Sequence, residues 1–423
     1  RAPCDAVRLD ALSRLYDKNA AGIVYAARHF SLARMGNEGE DMIEFILGRA
    51  GTGKTHACLS SMAERMKAEP MGSALVLLLP EHATYRAERR LAAMMAGAGE
   101  GFVRGLVFGF KRFARHVLQE TGGAAAARIT SVGRRLLLKR ILAEEGDSLQ
   151  AFARAAKQRG FTETLERAME EMRSYGIDGD ALLQAKSALA DDDLCRKLAD
   201  LALIYSRYRE KMAGRYNDTG DMLDALAEKI PSSRLLEGAE VWVDGFSFFN
   251  PQERKILAAL FQKAKNVHIT LTFDPTDEAA MQREGSLFYR QAQTLQQLRR
   301  LAQEMQIPVR VRSLEERRRF QSDALAAIER TAFSFPLVPQ AGAAGVVLVE
   351  AATRRLEMEA AAADIVRLCR EKGLRWRDIA ILTRDEAAYG DMLALTLEDC
   401  GIPYFRDNKR AGVHHPLAEL VRS

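Results

Sequence analysis

From residue 42 onward, apolar and polar positions alternate in a way that reads as strands and helices taken in turn. Ile43-Glu44-Phe45-Ile46-Leu47 is an apolar run of strand length. A glycine-rich stretch, Gly48 to Thr55, follows it, and then a helical pattern from His56 to Lys67. Two more buried-strand patterns come next: Ala74 to Leu79, ending at Pro80-Glu81, and Phe102 to Phe108. Strands separated by helical patterns predict a parallel sheet covered by helices on both faces. Between Gly123 and Leu236 there is no strand pattern, only helical periodicity broken by glycines. Its clearest helix spans Leu194 to Met212, with Leu194, Leu198, Leu201, Tyr205, Tyr208 and Met212 on one inward stripe. Arg196, Lys197, Asp200, Arg207 and Lys211 then face water. The alternation resumes with a strand Glu240 to Asp244, a helix Pro251 to Lys265 and a strand Val267 to Phe273.

After a charged stretch, Arg299 to Arg330, a second series is predicted. It consists of strand Val346 to Val349, helix Glu357 to Lys372 closed by Gly373, strand Asp378 to Leu382, helix Glu386 to Cys400 stopped by Gly401, and a last strand Ile402 to Phe405. Upstream, residues 1–41 carry broken helical periodicity around Leu9, Leu12 and Leu15 and a polar linker from Gly36 to Asp41. The predicted fold is α/β. An N-terminal extension or linker (1–41) precedes the first part of a nucleotide-binding domain (42–123), and an all-α insertion follows (124–236). The second part of that domain (237–335) leads to the start of a second α/β domain (336–423).

A chain of 423 residues allows about three domains. Hydrophobic residues at 48%, charged residues at 28% and only 11 prolines place it with mixed globular proteins rather than disordered ones. No window approaches the ~18 uninterrupted apolar residues of a membrane span, so no membrane association is expected. The five cysteines, Cys4, Cys58, Cys195, Cys369 and Cys400, lie far apart with no zinc-type spacing, which predicts a reducing, cytoplasmic setting and no structural metal. A net charge of +5 is too mild on this length to signal nucleic acid by itself. Neither Arg1 nor Ser423 reads as a natural terminus, and Met42 reads as a better start, so a piece of a longer chain is expected.

The chemistry concentrates in Gly48-Arg49-Ala50-Gly51-Thr52-Gly53-Lys54-Thr55, a complete phosphate-loop pattern lying between a predicted strand and a predicted helix. Such a loop turns backbone N–H groups and a helix amino end toward the phosphates of ATP. Lys54 would neutralise phosphate oxygens, and the Thr55 hydroxyl would ligate Mg2+. The bland alternative is a chance glycine turn before a helix. Asp244, closing an apolar strand, is the candidate to hold Mg2+ through water; otherwise it simply caps the next turn. Hydrolysing helicases follow this Asp with a Glu that polarises water. Here Gly245 follows, and the nearby carboxylate, Glu253, falls in a helix, which predicts weak turnover. In Phe108 to His116, aromatics alternate with cations. Phe110, Lys111 and Arg112 are therefore candidates for stacking and phosphate contacts to single-stranded DNA, although Phe110 and Phe113 at helical spacing also suit a core. Arg86, Arg89 and Arg90, and Arg317-Arg318-Arg319, are offset by neighbouring glutamates and read as solvated faces. His414-His415 lacks a third ligand and reads as a loop.

These segments, together with Leu79-Pro80-Glu81, Val107 to Arg115, Glu120 to Gly123, Val243-Asp244-Gly245-Phe246 with Pro251-Gln252-Glu253, and Asp378 to Arg384, resemble the AddB subunit of the bacterial ATP-dependent helicase/deoxyribonuclease. So do Gly401 to Phe405 and His415-Pro416-Leu417. The likeness runs in order from about Met42 to Ser423. It implies a P-loop NTPase sheet of the RecA-like, superfamily 1 helicase kind and a degenerate motor. It also implies single-stranded DNA as ligand, an AddA-type helicase/nuclease partner, and a role in double-strand break repair by recombination. In that family a nuclease domain with an iron-sulfur cluster lies further along. The four cluster cysteines have no counterparts in this sequence, so cluster and nuclease are expected only of the full-length protein. The resemblance also suggests an arginine from the second domain against the γ-phosphate, for which Arg384 is the candidate; the alternative, a surface arginine at a strand exit, is the stronger one. A scaffold with a purely structural nucleotide site and a P-loop kinase remain as rival readings.

Overall fold

The computed structural model describes residues 42–407 apart from 97–100, 102, 123–126, 159, 190, 214, 278–282, 334, 337 and 343, and also residues 416 and 420. The expectations for residues 1–41, for Phe102 and for His414, His415 and Leu417 lie outside the described residues. The chain divides into two units. The first runs to Gln321 and takes in residues 329–337; the second comprises Ser322–Ile328 and residues 338 onward.

The first unit carries, in chain order, β1 (Met42–Gly48), α1 (Lys54–Ala68), β2 (Leu75–Leu78), α2 (Thr84–Met95), β3 (Gly105–Phe108) and α3 (Phe110–Thr121). Next come β4 (Ala127–Arg128), α4 (Ser131–Glu144), α5 (Phe161–Ser174), α6 (Gly179–Ser187), α7 (Asp192–Met212), β5 (Tyr216–Asn217) and α8 (Thr219–Lys229). Finally there are β6 (Glu240–Val243), α9 (Pro251–Lys263), β7 (Asn266–Thr272), α10 (Tyr289–Glu304) and β8 (Val309–Ser313). Six strands form one sheet in the order β3-β2-β6-β7-β1-β8, and every pairing is parallel. This is the α/β sheet that the alternating pattern predicted.

Side chains of a strand point alternately to opposite faces, and here each face meets helices. Phe45, Leu47, Val76, Leu78, Val241, Val243, Ile269 and Leu271 pack with Phe113 and Val117 of α3, Leu226 of α8, Ile256 and Leu260 of α9, and Leu295 and Leu298 of α10. Ile46, Leu75, Leu77, Val107 and Trp242 face the other way, onto Cys58, Leu59 and Met62 of α1 and Leu91 of α2. The helical stretch predicted between the sheet halves has its own core, in which Leu138, Leu165, Met169, Leu198, Tyr205, Tyr208 and Met212 meet.

Three expectations are corrected. Asp200 does not face water. It is 2% exposed, and its carboxylate accepts the N–H groups of Gln150, Ala151 and Phe152 at 3.0, 2.8 and 2.8 Å, so the backbone of that segment supplies what solvent would have. The helical stretch is not free of strands, since β4 and β5 pair in parallel over two residues, a length too short to leave a periodic signal. The charged stretch Arg299 to Arg330 hides β8, an edge strand on β1 whose Val309 and Val311 pack on the core while Arg310 and Arg312 face out.

In the second unit, α11 (Arg354–Lys372) and α12 (Glu386–Asp399) form as predicted, with Gly373 and Gly401 in the left-handed region just past each. The three predicted strands do not form. Residues 346–349, 379–382 and 402–405 make no ladder among the described residues, and Leu348 and Leu382 are each 95% exposed. An apolar run becomes a strand only when a neighbour takes its N–H and C=O groups. The described core of this unit is a small one, Ala362, Ile365, Leu397 and Ile402.

Candidate nucleotide site

β1, the strand next to the β8 edge of the sheet, delivers the chain to Gly48, and α1 starts at Lys54. Between them Gly51 and Gly53 adopt φ of +81° and +89°, a region that costs residues with a Cβ about 1 kcal/mol or more, so the loop can coil only because glycine stands there. Gly48 is required for space: a Cβ on it would lie 2.4 Å from Thr52 Oγ1 and 2.8 Å from the Leu314 carbonyl. Among the described residues no side chain caps the amino end of α1, and its first turn holds no acidic residue. The helix therefore presents unpaired N–H groups and the positive end of its dipole, which favours an anion. Lys54 Nζ donates to the Gly48 and Arg49 carbonyls at 2.6 and 2.8 Å. Burial lowers the pKa of this ammonium against the pull of Asp244, and Arg319 adds to the lowering, bringing it to about 8.

The sequence-distant partner arrives from β6. Asp244 follows directly on β6, its N–H is held by the Leu78 carbonyl at 3.0 Å, and the residue is 3% exposed. Thr55 Oγ1 donates to Asp244 Oδ2 at 2.7 Å, and Thr270 Oγ1 of β7 donates to Asp244 Oδ1. The sheet order explains the meeting: β7 lies between β6 and β1, so a residue just past β6 looks across β7 to the start of α1. The hydroxyl and the carboxylate that would hold Mg2+ thus stand in contact, an oxygen donor set suited to a hard divalent cation. Gly245 has φ +82°, and a Cβ there would sit 3.3 Å from Pro80 Cδ, so the backbone itself disfavours a glutamate after Asp244. Glu253 is spent elsewhere, as half of a capping box with Asn250 on α9. It lines a 220 Å3 cavity with Lys111, Arg134, Glu166 and Tyr208, to which residues 48–55 contribute nothing, and burial raises its pKa.

Two groups of residues gather at the loop that sequence reasoning assigns to solvent or overlooks. Arg318 and Arg319, expected as a solvated run, donate backbone N–H groups to the Gly51 carbonyl at 3.0 and 3.2 Å, and the Phe320 ring closes over Gly51. Arg49 turns its guanidinium away from the loop to Asp274 at 2.8 Å and Glu329 at 3.1 Å, with Phe288 beneath it at 5.2 Å. The position of β8 is the missing signal. Once residues 309–313 are paired with β1, the residues that follow must pass the loop.

The remaining candidates fall elsewhere. Phe110 is 7% exposed and packs on Phe246 at 5.3 Å, so its ring is a core group and not an open stacking face, because helical spacing directs it with Phe113 into the sheet. Lys111 and Arg112 are exposed on the outer side of α3, Arg112 paired with Glu88 at 3.2 Å. Arg384 is exposed in the second unit, and the strand it was expected to end is not formed.

The family model for the AddB N-terminal region matches residues 45–329, a span that holds nearly all of the phosphate-loop strand, the loop itself, Asp244 and the whole helical insertion. The chain belongs to the AddB N-terminal family. Curated relatives that carry the name of the B subunit of an ATP-dependent helicase/deoxyribonuclease include one from Heliobacterium modesticaldum, 41% identical over 393 residues, and one from Desulforamulus reducens, 40% identical over 388 residues. A third, from Geobacillus thermodenitrificans, is 38% identical over 390 residues. Each alignment covers 90% of this chain but only 32–33% of the relative, so this AddB-family chain spans about a third of the length of those proteins. Among the described residues no helix is long and apolar enough to cross a membrane.

Proposed function

We propose that this chain is the ATP-binding, single-stranded-DNA-binding part of an AddB-type protein, working with an AddA-type partner in a helicase/exonuclease complex that processes double-strand breaks for recombinational repair. The sheet is then a RecA-like motor sheet whose motor is degenerate, and the nuclease with its iron-sulfur cluster belongs to the remaining length of such proteins. What supports nucleotide binding most is one contact, Thr55 Oγ1 to Asp244 Oδ2 at 2.7 Å. It joins residues 189 apart in sequence into the hydroxyl-carboxylate pair that Mg2+-nucleotide sites of the phosphate-loop kind require. A chance glycine turn would have no reason to meet a buried, strand-terminal aspartate. In the loaded site Lys54 leaves the Gly48 and Arg49 carbonyls for phosphate oxygens, and the α1 N–H groups take the remainder of the charge. Turnover is slow because Gly245 offers no base and Glu253 faces another cavity. Lys111 and Arg112 support contact with a DNA backbone by charge, in a salt-sensitive way.

The test is steady-state ATPase with and without single-stranded DNA, alongside equilibrium binding of Mg-ATP, comparing native protein with Lys54→Ala. Binding lost in the variant, with slow turnover in both, is the expected result. Brisk DNA-stimulated hydrolysis abolished by the substitution would contradict the degenerate motor, and no nucleotide binding by native protein would favour the scaffold reading.

A further inference from the structure

Arg49 is the one charged side chain in the loop besides Lys54, and its two ends do different things. Its backbone carbonyl is the hub of the turn, accepting from Thr52 N–H at 3.5 Å, Thr52 Oγ1 at 3.0 Å and Lys54 Nζ at 2.8 Å. Its guanidinium leaves the loop altogether. Nη1 donates to Asp274 Oδ2 at 2.8 Å, just past β7; Nε donates to the Glu329 carboxylate at 3.1 and 3.2 Å; and Nη2 donates to the Glu329 carbonyl at 2.8 Å. The Phe288 ring closes its flat face. Asp274 also accepts the Thr276 N–H and hydroxyl at 2.9 and 2.6 Å, which orients its carboxylate.

We propose that Arg49 is a positioning residue. Its planar fork moors the phosphate loop to the exit of β7 and to Glu329, so that the loop keeps its wrapped shape before any ligand arrives, and the site binds a triphosphate without first ordering the turn. The proposal rests on the nucleotide reading only for what the loop holds; the mooring itself is a property of the free protein. The geometry favours this over a phosphate-ligand role, since all three guanidinium nitrogens are already committed to Asp274 and Glu329. It also exceeds charge neutralisation: a lysine would supply the charge but could not serve Asp274, the Glu329 carboxylate and the Glu329 carbonyl together.

The experiment uses the intact protein and three variants, Arg49→Met, Arg49→Lys and the neutral triple Arg49→Met with Asp274→Asn and Glu329→Gln. Hydrogen exchange of the nucleotide-free protein is followed at the loop reporters, the amides of Thr52, Arg318 and Arg319, which bond the Arg49 and Gly51 carbonyls, with β7 as internal control. The expected result is exchange about tenfold faster in the loop for all three variants, with β7 unchanged, and an Mg-ATP Kd weakened by about the same factor. Loop exchange at the native rate in Arg49→Lys would overturn the proposal by showing that charge suffices. Native behaviour of the triple variant would overturn it by showing that Arg49 only offsets two carboxylates. Should Arg49→Met fail to fold, Arg49→Lys and the triple still decide. If native protein binds no Mg-ATP, the nucleotide reading falls while the exchange arm still tests the mooring.

Discussion

Asp244 is a buried carboxylate without an ion pair among the described residues, and this makes Asp244→Asn the most telling substitution. The residue is 3% exposed and among the described residues its carboxylate has no ion pair; Lys54, the nearby cation, is bonded to the Gly48 and Arg49 carbonyls instead. Its partners are the Thr55 and Thr270 hydroxyls. Removing a carboxylate from water costs several kcal/mol, roughly 4 after relaxation, and each charge-assisted hydroxyl bond recovers about 1 kcal/mol more than the neutral bond an asparagine would make. Less the pull that the carboxylate exerts on Lys54, the difference leaves Asp244→Asn between level with native and about 1 kcal/mol more stable in the absence of nucleotide, since the amide matches the shape and either hydroxyl can turn to accept from it. On the proposed nucleotide reading, the charge is retained for Mg2+. Native protein is then expected to bind ATP more tightly with Mg2+ than with EDTA, and Asp244→Asn to bind equally in both. Urea unfolding of the nucleotide-free proteins and ATP titrations in the two buffers check both halves. A variant destabilised by more than about 1 kcal/mol would make Asp244 a structural cap, and a variant that keeps the Mg2+ gain would remove it from the metal site.

Three further outcomes follow from the same geometry. The Lys54 pKa of about 8 in the free protein rises when a triphosphate binds, so Mg-ATP affinity should be level below pH 8 and fall as pH increases beyond it, where the ammonium must be reprotonated to bind; affinity that stays flat to pH 10 would refute this. Gly245→Glu should destabilise the protein by about 1–2 kcal/mol, from the positive φ and the crowding against Pro80, and should not raise ATPase above native, as measured by phosphate release. Asp200→Ala should cost about 2–4 kcal/mol in chemical denaturation, since it removes the buried carboxylate that accepts the N–H groups of Gln150, Ala151 and Phe152, and a loss under 1 kcal/mol would mean that water replaces the carboxylate there.

What can be read from the sequence follows a physical rule. Strands buried on both faces, such as β1 and β2, are apolar at nearly every position and stand out between helices, and the phosphate loop is legible because each of its glycines answers a local demand of φ or space. A pattern of that kind reports where a residue must sit relative to its neighbours in sequence, but not which distant group it meets. Asp200 escapes it for this reason: helical phase puts a carboxylate on the polar side, and the donors that bury it come from residues 150–152, some fifty positions away. Arg310 and Arg312 disguise β8 because an edge strand is kept from pairing further by the charges that also erase its apolar signature. Losing β8 means losing Arg318 and Arg319, whose approach to Gly51 is a consequence of where that strand ends. The errors at the candidate site are therefore coupled, and they fall on one side of it: the wall built from β1 outward is legible, while the wall returning from β8, together with Glu329 on Arg49, emerges only once the parallel pairing of residues 309–313 with β1 fixes where the chain comes back.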